Sequence, residues 1–177
     1  AAAQADKALY LKGGTVQILD DSQTFNGVGR ALDEKSTDTY GLLFEHRTRR
    51  DMAFGVEYLN FTNDFTPAGL GGGSPGNGFA TTRTLNFVAK KYLGKGVFHP
   101  FFGLGVGLGR TTVDYADSSW ADEDIGISMQ VMAGLELRFQ EMGLMFEAKR
   151  LNFDMSSSNS TYNPSAVGFF ASIGFNW

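Results

Sequence analysis

Large apolar residues recur at every second position along most of this chain, with small or polar residues between them. The clearest stretch runs from Ile125 to Phe139. Ile125, Ile127, Met129, Val131, Ala133, Leu135, Leu137 and Phe139 share one face, and Gly126, Ser128, Gln130, Gly134, Glu136 and Arg138 share the other. A period of two marks a β-strand with unlike faces, whereas an amphipathic helix repeats about every 3.6 residues. Phe102, Leu104, Val106 and Leu108 alternate in the same way with Gly103, Gly105, Gly107 and Gly109. So do Phe169, Ala171, Ile173, Phe175 and Trp177 with Gly168, Ser172, Gly174 and Asn176. Shorter alternations fall at Tyr40–Phe44, Phe54–Tyr58, Leu85–Ala89 and Leu144–Ala148, and a less regular one spans about Ala8 to Leu19. Eight strands are therefore expected. Gly13-Gly14 is read as a β-bulge in the first of them, which leaves that strand's facing open.

The connections alternate in length. His46–Asp51, Leu93–Val97 and Gln140–Glu141 are short, while Asp20–Ser36, Thr62–Phe79, Asp114–Asp124 and Asp154–Ser165 are long and polar. Strands of about 10 to 11 residues with short turns at one end and long loops at the other predict a transmembrane barrel. The expected fold is thus all-β: a single-domain, eight-stranded antiparallel up-and-down barrel over residues 1–177, with short periplasmic turns and long extracellular loops. A soluble barrel with its apolar face inside would show the same alternation. Glycine placement decides against it. Gly103, Gly105, Gly107 and Gly109 would only weaken a water-facing surface, but inside a narrow barrel they leave room for long side chains from other strands.

Charge supports that facing. Glu45, Glu57, Lys90, Glu136, Arg138, Glu147 and Lys149, and Lys12 if the register of its strand holds, all fall opposite the large apolar residues, with roughly matched signs. Buried charges persist when paired, so these eight are expected to form a network that fills the lumen and leaves no continuous water-filled pore. Farther along the same parity, Glu57 gives way to Leu59 and Phe61, and Lys149 to Leu151 and Phe153, with Phe170 on the last strand. These five predict a hydrophobic pocket in the outer half of the lumen, unless the register changes near the rim. Tyr40, Tyr58, Tyr92, Phe98, Phe139, Phe175 and Trp177 are expected to face lipid as interfacial girdles. Arg47, Arg49, Arg50, Lys91 and Lys95 make the short turns comparatively basic.

Composition changes the picture only at the margins. The chain has 177 residues, 23 glycines, 16 phenylalanines and no cysteine. Mean hydropathy is -0.16, which is what alternating lipid-facing and lumen-facing residues average to. No run approaches the ~18 apolar residues of a membrane-spanning helix. The absence of cysteine removes disulfide frameworks, thiolate metal sites and thiol nucleophiles. A net charge of -4 gives no reason to expect a nucleic-acid partner. Ala1-Ala2-Ala3-Gln4-Ala5 suits the mature side of a signal-peptidase site, and a chain boundary of another origin reads the same way.

The chain resembles the small outer-membrane β-barrels of the OmpA transmembrane domain, OmpX and OmpW type. The resemblance rests on His99-Pro100-Phe101-Phe102-Gly103-Leu104-Gly105-Val106-Gly107, on the terminal Phe169-x-Ala171-x-Ile173-x-Phe175-x-Trp177, and on the loop rhythm. It implies residence in the bacterial outer membrane after export and signal-peptide removal. Outer-membrane lipid and lipopolysaccharide are the implied surroundings. The barrel-assembly machinery is the implied partner in biogenesis, reading Phe175 and Trp177 as the C-terminal signal. Members of the group include anchors, adhesins, hydrophobic-solute channels and lipid A-modifying enzymes, so the fold does not choose among activities.

Candidate chemistry is sparse. His46 and His99 are the only histidines, and both fall near the short turns, where they read as interfacial or turn residues. The deacylases of this architecture carry a His-x-Ser late in their seventh strand. The comparable stretch here, from Glu147 to Phe153, has neither residue. Gly71-Gly72-Gly73-Ser74-Pro75-Gly76 matches the G-x-G-x-x-G of dinucleotide-binding loops but has Pro75 and no helix after it, and reads as a flexible loop. Asp114, Asp117, Asp122, Glu123 and Asp124 match no calcium-loop pattern and read as a solvated acidic loop, which could share divalent ions with lipopolysaccharide phosphates. No catalytic residue, metal site or cofactor is expected. The functional expectation is a monomeric, non-enzymatic membrane anchor and surface interaction protein with a charge-plugged lumen. The alternatives are OmpW-like binding or passage of small hydrophobic molecules and, disfavoured by the histidine positions, an enzyme acting on lipid A.

Overall fold

The computed structural model describes residues 7–19, 22–25, 28–32, 36–48, 51–67, 78–94, 96–115, 121–156, 161–162 and 165–177. Among the described residues eleven strands form one sheet: β1 (Lys7–Ile18), β2 (Ser22–Phe25), β3 (Val28–Leu32), β4 (Ser36–Arg47), β5 (Met52–Pro67), β6 (Gly78–Tyr92), β7 (Phe98–Tyr115), β8 (Ala121–Phe139), β9 (Met142–Ser156), β10 (Thr161–Tyr162) and β11 (Ser165–Asn176). Eight of them close an antiparallel ring in the order β1-β4-β5-β6-β7-β8-β9-β11, with β11 pairing back to β1. Closure removes the sheet edges, so every wall strand finds backbone partners on both sides.

The wall strands run from 12 to 19 residues, longer than the alternation predicts. β5 and β6 continue into the expected Thr62–Phe79 loop, pairing from Met52↔Lys91 up to Phe65↔Gly78. Polar residues such as Thr62 and Thr81 do not end a strand whose neighbour extends beside it. The expected Asp20–Ser36 loop likewise contains β2 and β3. Together with β10, these short strands bridge β9 to β5 above the ends of β11, β1 and β4. The wall therefore continues past the eight-stranded ring on that side.

Gly13-Gly14 forms no bulge. Gly13 pairs with Tyr40 and Ala171, and Gly14 with Thr39 and Phe170, in ladders unbroken on both sides. The two glycines simply face opposite ways. A Cβ on Gly13 would meet nothing within 4 Å, whereas one on Gly14 would lie 2.1 Å from the Phe169 carbonyl oxygen.

The turns carry the backbone conformations that tight reversals demand. Asp51 and Gln140 have positive φ at the β4–β5 and β8–β9 turns, and Gly94 and Gly96 do so at the β6–β7 turn. Even-numbered residues of β1, β6, β8 and β11 and odd-numbered residues of β4, β5, β7 and β9 point inward. The opposite set forms an exposed apolar belt that includes Leu11, Phe44, Val56, Phe87, Leu104, Val131, Phe146 and Ile173. Water would not tolerate a belt of this extent, and lipid does.

Candidate functional site

The inward side chains form two connected charged layers below an apolar one. Nearest the short turns, Arg47 on β4 reaches across to Glu136 on β8, the strand opposite it in the ring, with Nη2 2.9 Å from Oε1. Arg138 binds the other oxygen of Glu136 at 2.8 Å. Tyr10 donates to Glu136 at 2.5 Å, and Arg47 also donates to the Tyr10 hydroxyl and to Asn176 Oδ1. One carboxylate thus organises groups from β1, β4 and β8. Gly143 makes this approach possible, because a Cβ there would stand 2.7 Å from the Tyr10 hydroxyl and 3.1 Å from Glu136.

Above this layer lie Lys12, Glu57, Glu147 and Lys149. Lys12 pairs with both Glu57 and Glu147, and Lys149 pairs with both as well. β5 and β9 are opposite in the ring, so the Lys149–Glu57 pair spans the lumen. Gln130 donates to Glu57 Oε2 at 2.7 Å. Lys90 joins the two layers, 2.8 Å from Glu45 and 3.4 Å from Glu147. Desolvating this many charges is costly, and mutual pairing with multiple hydrogen bonds offsets the cost. Met145, Phe101, Leu43 and Val88 pack among the charges, and the Lys90 ammonium sits 4.7 Å from the Phe101 ring centre.

The upper layer is apolar. Leu59, Phe61, Leu151, Phe153 and Phe170 belong to one buried cluster with Val16, Ile18, Ala80 and Ala166. Phe61 and Phe153 come from opposite strands, and their rings meet at 6.0 Å. Phe170 forms the boundary, its ring 5.2 Å from the Lys12 ammonium and 5.5 Å from that of Lys149.

All eight charged residues singled out in the sequence face the lumen, and the structure adds Arg47, Tyr10, Tyr92, Gln130 and Asn176 to them. Two sequence expectations change. Arg47 belongs to the lumen network, not to a basic turn, because it continues the inward parity of Glu45. Tyr92 is no lipid-facing girdle residue. It is 4% exposed against 62% for Tyr40, and its hydroxyl donates to Glu45 Oε2 at 2.9 Å. Its even number on β6 gives it the facing of Lys90. Counting in twos from Glu45 and Lys90 would have found both.

Phe98, Phe139, Phe175 and Trp177 are exposed on the outer surface near the short turns, with Tyr40 at the other edge of the belt and Tyr58 partly covered between them. Lys91 lies outward on β6. His46 is exposed on the outside of β4, and the His99 Nε2–H donates to the Gly96 carbonyl at 2.8 Å. Glu123 pairs with Arg110 at 2.5 Å. Ala1–Ala5, Arg49, Arg50, Lys95, Asp117, the Gly71–Gly76 stretch and the side chains of Asp122 and Asp124 lie outside the described residues.

The comparisons with known proteins agree with this architecture. The Neisserial surface protein A structure superposes with a TM-score of 0.67 at 14% identity, covering 96% of this chain and 99% of that one. OprG of Pseudomonas aeruginosa gives 0.59 at 15% identity, covering 98% and 97%. Ail, the attachment invasion locus protein of Yersinia pestis, was solved with the heparin analogue sucrose octasulfate. It gives 0.57 at 13% identity, covering 97% and 99%. No protein-family model and no curated protein sequence matches the chain. The chain has the fold of the small outer-membrane β-barrels. Its closed wall and exposed apolar belt are those of a barrel that spans a lipid bilayer.

Proposed function

We propose that this chain is a non-enzymatic outer-membrane anchor and surface interaction protein whose lumen is closed to ions by its charge network. The observation that carries this reading is the pairing of Arg47 with Glu136 and of Lys149 with Glu57 across the barrel from opposite strands. A side-chain plug of this kind suits an eight-stranded barrel, whose interior is only wide enough for side chains. The surface and attachment roles named for the Neisserial and Yersinia proteins are consistent with a barrel that displays loops rather than conducts. Planar-bilayer recording tests the closure. Purified protein should give no steady current, and sustained nanosiemens-scale conductance would overturn the reading.

The apolar layer favours a second reading, in which the outer half of the lumen receives a small hydrophobic molecule. Leu59, Phe61, Leu151, Phe153 and Phe170 offer a surface of suitable chemistry. An apolar fluorescent probe that binds the folded barrel, and is displaced by a long-chain fatty alcohol, would support it. Absence of saturable binding would count against it.

A further inference from the structure

On the outer surface, Arg83 of β6 and Arg110 of β7 stand directly opposite each other in the antiparallel register, both exposed. Directly paired residues bring their Cβ atoms within about 5 Å, and like charges so placed repel. Neighbouring groups only partly relieve this. Arg83 makes one hydrogen bond, Nε–H to Asn60 Oδ1 at 3.3 Å, and no ion pair among the described residues. Arg110 donates to Glu123 Oε2 at 2.5 Å, and among the described residues Glu123 is the one carboxylate paired with either guanidinium.

Their position along the barrel is specific. The neighbouring outward row toward the short turns is apolar: Leu42, Tyr58, Leu85, Leu108 and Ile127 follow one another across five strands. The neighbouring row on the other side is hydroxylic and acidic, with Thr62, Thr81, Thr112 and Glu123. On β6 and β7 the arginine pair stands where apolar rows give way to mostly polar ones on the long-loop side, with Ile125 beside Arg110 and Phe79 exposed farther along β6. Long basic side chains at the edge of a lipid-facing apolar belt extend toward the headgroups.

We infer that Arg83 and Arg110 together hold the phosphate of a phosphorylated lipid in the outer leaflet. Each guanidinium presents a fork of donors that matches phosphate oxygens, so one phosphate between the two turns mutual repulsion into shared attraction. Asn60 engages Arg83 through its Nε, and the terminal nitrogens have no partner among the described residues. Arg150 is a contrast within the same molecule. It is exposed on β9 between Val131 and Val167, with no second cation beside it.

This inference rests on the membrane-barrel reading, and the test separates the two. Protein folded in maltoside detergent, which carries no phosphate, is titrated with bis-phosphorylated lipid A, and bound lipid is counted by native mass spectrometry. The same lipid with its phosphates removed, and inorganic phosphate as competitor, complete the set. Wild-type protein and Arg150→Gln should bind the phosphorylated lipid alike, and Arg83→Gln/Arg110→Gln about tenfold or more weakly. Dephosphorylated lipid should bind weakly throughout, and inorganic phosphate should not displace the lipid at matching concentration.

Equal binding by wild type and the double variant would overturn the site, as would equal binding of dephosphorylated lipid. Displacement by inorganic phosphate would overturn its assignment to a lipid. Heat-modifiable gel migration, run on every sample, reports the barrel itself. A protein that migrates identically boiled and unboiled defeats the membrane-barrel reading and the site with it. A heat-modifiable double variant with wild-type lipid binding defeats the site alone.

Discussion

Arg47 and Glu136 meet across the width of the barrel, a guanidinium nitrogen of one 2.9 Å from a carboxylate oxygen of the other. Glu136 also accepts from Arg138 and Tyr10, so it serves three donors drawn from three strands. A substitution there leaves each donor short of a partner in a place water does not easily reach. Glu136→Gln should lower the unfolding free energy by about 3–5 kcal/mol, the usual cost of breaking a buried pair from one side. Urea titration of the protein in bilayers measures this. Adding Arg47→Met should restore part of the loss, because the stranded charge is then removed as well.

Tyr92 distinguishes a lumen residue from a lipid-facing one. Its hydroxyl donates to Glu45, and its ring lies 5.3 Å from the Arg47 guanidinium and 5.5 Å from that of Arg138. Tyr92→Phe should cost about 1–2 kcal/mol by leaving a charged acceptor with one donor fewer. Tyr40→Phe on the exposed surface should cost clearly less in the same unfolding assay. Equal losses at the two positions would contradict the inward facing of Tyr92.

Gly13 and Gly14 form an adjacent pair with opposite outcomes. Gly13→Ala should be neutral or stabilising by about 0.5–1 kcal/mol, since the new methyl meets open space and the unfolded chain loses freedom. Gly14→Ala should destabilise by about 1–3 kcal/mol, because its Cβ runs into the backbone of β11. Comparing the heat-modification midpoints of the two variants reads the register of β1 directly.

Phe153→Ala should remove one side of the ring contact with Phe61 and leave a cavity in the apolar layer. The expected loss is about 3–5 kcal/mol, as for other buried aromatic truncations. Phe169→Ala, on a side chain 60% exposed, should lose less, because lipid fills the space vacated. The cavity should also raise the affinity of a small apolar probe. Unchanged stability in Phe153→Ala would show that the upper layer is not packed as described.

The wall of this barrel was legible in the alternation because each strand has one face against lipid and one against the lumen, and the side-chain period of a strand is two. The candidate lumen set could be read from the same parity, which put Glu57, Glu147 and Lys149 on one side without any knowledge of their partners, and Lys12 with them once β1 proved unbulged. Partnership was not legible. Nothing local in the sequence says that Glu57 meets Lys149 rather than a neighbour on an adjacent strand, since that depends on ring order and on the relative heights of the strands. The extended upper wall was also hidden, because β2, β3 and β10 are too short for a period to register.

From the sequence alone came the facing of every wall strand but β1, the separation of charged and apolar layers, and the turns, all of which follow from local periodicity and backbone conformation. Closure of the sheet set which charges pair across the lumen, which partners Arg47 and Tyr92 meet there, and that Arg83 stands beside Arg110 at the edge of the belt. Those relationships join residues distant in the chain, and strand pairing and register, not nearest-neighbour chemistry, set their distances.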